Sequence, residues 1–134
     1  MNSNHVSAEA LQRFIQSAFV SQGLPEADAG QVAHLMTEAD LQGSDGHGVI
    51  RLPQYIKRIQ AGGINKHPQI RVVQERAAMA VVDGDNGMGH LVVSRAVEVT
   101  TRAAAEARGS GTATGRRRSV PALSCHCPPS GPIR

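Results

Sequence analysis

Asp40-Leu41-Gln42-Gly43-Ser44-Asp45-Gly46-His47-Gly48-Val49-Ile50-Arg51-Leu52-Pro53 is the stretch that decides how this chain is built. Its centre, Gly43 to Gly48, concentrates turn-forming residues between two helical patterns. Upstream, Ala29, Val32, Ala33, Met36 and Ala39 recur at the spacing of one helical face, and Gly43 stops them. Downstream, a short helix is expected from about Pro53, carrying Ile56 and Ile59 inward until Gly62-Gly63 ends it. A loop bearing His47 and Arg51 is therefore held between two helices.

Working outward, Ser7 is an N-cap candidate, because its hydroxyl can accept from the free amides of a first turn. Leu11, Phe14, Ile15, Ala18 and Phe19 then follow a helical period up to Gly23. Pro25 suits the first turn of the next helix, and Glu26 and Asp28 favour its dipole. On the other side, after Asn65 and Pro68, Gln69 to Gln74 and Met79 to Val82 read as two short strands. Asp83 to Gly87 reads as a turn, and a long helix is expected over His90 to Arg108, with Gly109 as its stop. The expected class is α/β: N-terminal helices, short strands, then a long helix, all within residues 1–109. No internal repeat is present.

The 134 residues suffice for one small domain. One Tyr, two Phe and no Trp leave the core to Ala, Val, Ile, Leu and Met. No apolar run approaches the roughly 20 residues of a membrane span, and the N-terminus lacks the pattern of a signal peptide. A cytoplasmic location, with no membrane partner, is the expectation. The net charge of +3 belongs to the last segment, which holds four Arg and no acidic residue from Ser110 onward. Without those four, ten basic residues face 11 acidic ones, so the body offers no basic face for nucleic acid. Residues 110–134 also hold four of the seven prolines and both cysteines, without apolar periodicity, and are expected to be disordered. Arg116-Arg117-Arg118 is read as solvated. Cys125-His126-Cys127 lacks a second ligand pair, so no metal site is expected.

His47 and Arg51 could carry chemistry. An imidazole titrating near neutrality can deliver a proton to a reduced carbonyl. A guanidinium four residues on can hold a substrate carboxylate through two parallel hydrogen bonds. The glycines flanking His47 would let backbone and ligand approach closely. On spacing alone, a loop histidine beside a solvated arginine is the commoner meaning of such a pair. Tyr55 is expected at a surface edge, and Lys57 and Arg58 on a solvated face. Gly84-Asp85-Asn86-Gly87-Met88-Gly89 stands between a strand and a helix, where a phosphate could meet free amides. Its glycines do not follow the dinucleotide-binding order, so a plain turn is the better reading.

Four segments in order carry a resemblance: Leu24-Pro25-Glu26-Ala27-Asp28-Ala29; Glu38-Ala39-Asp40-Leu41-Gln42-Gly43; His47-Gly48-Val49-Ile50-Arg51-Leu52-Pro53-Gln54-Tyr55; and Gly62-Gly63-Ile64-Asn65. With Val81-Val82-Asp83-Gly84-Asp85-Asn86-Gly87-Met88-Gly89, they resemble the opening of the non-Rossmann malate/L-lactate dehydrogenase family, which includes ureidoglycolate and sulfolactate dehydrogenases. The likeness covers about Val6 to Gly109 and implies the start of an L-sulfolactate-dehydrogenase-like fold.

It further implies an NAD(P)-dependent oxidoreductase that interconverts a 2-hydroxy acid and a 2-oxo acid by hydride transfer. His47 would be the catalytic acid/base, Arg51 a substrate-carboxylate ligand, and the assembly a homodimer. It assigns no cofactor-binding residue here and does not choose between NAD and NADP. Two positions depart from the family pattern: Gly46, where serine is usual before the histidine, and His90, where glutamine is usual after the glycine turn. After Gly109 the family continues into a strand and an Asn-x-Asn-His segment, and this chain does not. The implied alternatives are a frameshifted tail and a truncated, catalytically inactive fragment with at most a partner-association role.

Overall fold

The computed structural model describes residues 6–76 and 79–109. Helix α1 spans Ala8–Ser21, α2 Glu26–Leu41, α3 Leu52–Gln60 and α4 Gly89–Gly109, with strands β1 Arg71–Arg76 and β2 Met79–Asp83 between α3 and α4. The strands form an antiparallel pair. This is the expected α/β order. The expected tail over residues 110–134, including Arg116 to Arg118 and Cys125 to Cys127, lies outside the described residues.

Helix α1 starts where the serine predicts: the Ser7 hydroxyl accepts from the Ala10 amide at 3.2 Å. Gly23 and Gly43 take left-handed φ values of 90° and 75° just past α1 and α2, a conformation that costs glycine least. Pro25 stands one residue before α2, not inside its first turn, and its carbonyl accepts from Ala29. Ile15 and Phe19 of α1 meet Ala29, Val32, Ala33 and Met36 of α2 in the main core, which Leu24, Leu52, Ile59, Ile64, Met88 and Leu91 complete. Among the described residues the one buried polar side chain is Thr37, whose hydroxyl donates to the Ala33 carbonyl at 2.9 Å. Phe14 shares the helical period but is 61% exposed. It lies about 100° around the axis from the buried Ile15. Ala39 is half-buried.

The element ends differ by one or two residues from the sequence reading, for visible reasons. Helix α3 begins at Leu52, which puts Pro53 in the first turn, where its missing amide costs nothing. Strand β1 begins at Arg71, not Gln69, because the Gln69 amide donates to the Asp85 carboxylate at 2.9 Å. The ladder then pairs Arg71 with Asp83 and Val72 with Val82, and a bulge shifts the register before Gln74 meets Val81. The expected turn over Asp83 to Gly87 forms one residue later, from Gly84, because Asp83 is still paired with Arg71 at the end of β2. Asp85 and Asn86 both have positive φ, and the Gly87 amide donates to the Gly84 carbonyl at 2.9 Å. Asp and Asn are the non-glycine residues that best tolerate that conformation. Helix α4 lies against β2 and α2. Among the described residues, no helix is long and apolar enough to cross a membrane.

Candidate functional site

The segment between α2 and α3 is not irregular. It forms two single 3-10 turns, Asp45–His47 and Val49–Arg51, hinged at an extended Gly48. The His47 amide donates to the Ser44 carbonyl at 2.8 Å, and the Arg51 amide to the Gly48 carbonyl at 3.0 Å. His47 and Arg51 are both exposed.

The Arg51 side chain folds back across the hinge. Its Nε donates to the Gly46 carbonyl at 2.7 Å, and Nη1 to the Gln54 Oε1 at 2.9 Å. The fork expected to bind a carboxylate is thus brought against the backbone that carries His47. A second anchor comes from Asp40 in the last turn of α2, whose Oδ2 accepts the Val49 amide at 2.8 Å.

The flanking glycines do different jobs. Nothing lies within 4 Å of where a Cβ on Gly46 would sit. A Cβ on Gly48 would run into the Asp40 carboxylate. The expectation that both glycines admit a ligand therefore needs correcting: at Gly48 the neighbour that needs the room is Asp40.

His90, in the first turn of α4, completes the cluster. Its ring meets Tyr55 edge-on, with 5.5 Å between centroids. Among the described residues, its Nδ1 is the buried side-chain polar atom without a hydrogen-bond partner. Burial pushes its pKa below the ordinary value, and charge on His47 adds to that shift. His47 and His90 therefore lie within electrostatic reach of each other. Tyr55 is half-buried against His90, while Lys57 and Arg58 are exposed as expected.

In the sequence His90 stands only as a departure from the family pattern, and Asp40 carries no expected role. An acidic residue at a helix C-terminus, where the dipole disfavours it, was the signal available for Asp40.

In the glycine turn before α4, packing within the chain accounts for two of the glycines. A Cβ on Gly84 would come within 2.7 Å of the Val92 side chain, and one on Gly87 within 2.7 Å of the Pro68 ring. These glycines make room for the protein's own packing. An open cavity of about 260 Å³ lies elsewhere, lined by Asp28, Gln31, Pro68, Ile70 and Leu91, and touches neither His47 nor Arg51. Among the described residues, no group of three metal-ligating side chains converges.

The sequence profile of the family described as Malate/L-lactate dehydrogenase matches residues 6–120. The chain belongs to that family. Malate dehydrogenase of Pyrococcus horikoshii is 40% identical over 99 residues, which are 74% of this chain and 28% of the relative. L-sulfolactate dehydrogenase of Methanocaldococcus jannaschii is 44% identical over 82 residues, 61% of this chain and 24% of the relative. The solved structures of malate/L-lactate dehydrogenase family members agree with the fold. The P. horikoshii enzyme gives a TM-score of 0.72 over 75% of this chain and 29% of its own. The M. jannaschii enzyme gives 0.73 over 76% and 30%. The chain thus spans less than a third of the length of these relatives, and within it the helices and strand pair follow the sulfolactate dehydrogenase architecture.

Proposed function

We propose that this chain carries the proton-transfer and carboxylate-binding part of an NAD(P)-dependent oxidoreductase acting on 2-hydroxy and 2-oxo acids. The observation that carries this reading is the return of Arg51 to the Gly46 carbonyl, beside His47, in a chain of a dehydrogenase family. His47 is exposed on a turn fixed by backbone hydrogen bonds, so its imidazole can give a proton to a carbonyl oxygen or take one from a hydroxyl. Arg51 retains donors beyond those given to Gly46 and Gln54, and these suit a carboxylate. The nicotinamide cofactor, NAD or NADP, is supported by membership of a dehydrogenase family, and the homodimer is what the sequence resemblance implies. The residues described here are assigned no part in holding the cofactor. The names of the relatives, malate dehydrogenase and L-sulfolactate dehydrogenase, support a hydroxy-acid substrate class.

A second reading is a catalytically silent chain that associates with a partner. It is supported by the apolar side chains left in water on and around the site, Leu41 at 64% and Ile50 at 70% exposure. One titration separates the two. The purified chain is mixed with NADH or NADPH, nicotinamide fluorescence is followed, and turnover of oxaloacetate or pyruvate is assayed. Binding with turnover that disappears in His47→Ala supports the dehydrogenase. A folded chain that neither binds nor turns over leaves the silent reading.

A further inference from the structure

We infer that Asp40 is the positioning residue of this site, a side chain from α2 that sets the hinge between the His47 turn and the Arg51 turn. The inference deepens the proposed dehydrogenase reading and rests on it for its meaning in catalysis. Two independent observations carry it. First, the Asp40 Oδ2 accepts the Val49 amide at 2.8 Å, across nine residues of chain. Val49 opens the turn that ends at Arg51, and its amide is one of the donors that such a turn leaves without an internal partner. Asp40 thus does for this turn what an N-cap side chain does for a helix, but from a neighbouring element. Second, Gly48 has φ −87° and ψ −151°, an ordinary extended conformation open to other residues. Its backbone shape does not demand glycine. The demand comes from the Asp40 carboxylate, which fills the place a Cβ would take.

The position of Asp40 in sequence fits a dedicated role. A carboxylate in the last turn of a helix is disfavoured by the dipole, and α2 has no basic residue in that turn to offset it. The bond to Val49 supplies a compensating partner. Since His47 precedes the hinge and Arg51 follows it, one carboxylate fixes the relative placement of proton donor and carboxylate fork.

Backbone amide exchange and the ring resonances of His47, both followed by NMR on the full 134-residue chain, test this without any cofactor. Failure here is therefore distinct from failure of the dehydrogenase reading, which is decided by turnover. Asp40→Ala should speed exchange at Val49 by about tenfold and shift the His47 ring signals. Asp40→Asn, which keeps an acceptor, should restore both. Gly48→Ala should reproduce the Asp40→Ala changes by displacing the carboxylate, and should add nothing in the Asp40→Ala background. Should Asp40→Ala not fold, the Asn and Gly48→Ala variants still decide the matter. Unaltered Val49 exchange and His47 signals in Gly48→Ala, or an Asn variant no better than Ala, would overturn the assignment.

Discussion

The Tyr55 ring and the His90 imidazole meet in a T-shaped contact with 77° between their planes, and this contact joins the third helix to the start of the fourth beside the His47 turn. The imidazole is there as a largely desolvated group with an unpartnered Nδ1. Both features favour the neutral ring.

That preference makes stability depend on pH. The His90 pKa is lowered in the folded chain, first by burial and second by charge on His47. An unfolded chain takes up the proton at the ordinary 6.5, before the folded chain does. The contribution is complete above that value and is lost as pH falls through the lowered one. Urea midpoints measured at pH 7.5 and pH 5 should fall more in the parent chain than in His90→Gln. Equal losses would remove His90 as the source.

The proposed roles of His47 and Arg51 separate kinetically. His47→Ala should lower kcat by about 10²- to 10⁴-fold, the range of general acid catalysis. Arg51→Ala should chiefly raise KM for the acid, by roughly 10- to 100-fold, since a charge-assisted hydrogen bond is lost. Steady-state kinetics with a 2-oxo acid and reduced nicotinamide read both values. A His47 variant with parental kcat would end its assignment as the proton donor.

Phe19 of α1 is fully buried in the core that α1 forms with α2, against which Tyr55 is half-buried. Phe19→Ala should cost about 3–5 kcal/mol, because packing is lost and a cavity remains. Urea unfolding followed by helical circular dichroism measures it. A loss near 1 kcal/mol would mean that the two helices close over the gap.

Gly87 and Gly46 should respond oppositely to alanine. At Gly87 the new methyl would press on the rigid Pro68 ring, and about 1–3 kcal/mol should be lost. At Gly46 the methyl meets open space, and stability should stay within about 0.5 kcal/mol. Melting both variants beside the parent gives the contrast. Similar shifts would show that the turn before α4 yields more easily than its packing suggests.

Much of this fold is written in local signals. Ser7, Gly23 and Gly43 mark helix ends by chemistry confined to a few neighbouring residues, and the structure places the ends there. The stripe from Ala29 to Met36 is legible because one face of a helix repeats at a fixed angle. The start of β1 was not legible, because the Gln69 amide is claimed by Asp85, 16 residues away. The site divides in the same way. His47 and Arg51 stand as candidates on residue type and ordered landmarks. The Asp40 bond to Val49, the reason for glycine at position 48 and the desolvation of His90 depend on packing between elements, which no local pattern encodes.

The bulge in β1 has a consequence for assembly. A sheet of two strands exposes two rows of unpaired backbone groups, each a template for another strand. On β1 that template is interrupted between Val72 and Gln74 and flanked by the charged Arg71 and Glu75. Strand β2 runs Met79-Ala80-Val81-Val82 without a charge until Asp83. Among the described residues the two edges therefore differ: β1 carries the bulge and the charges that discourage an added strand, and β2 carries neither before Asp83.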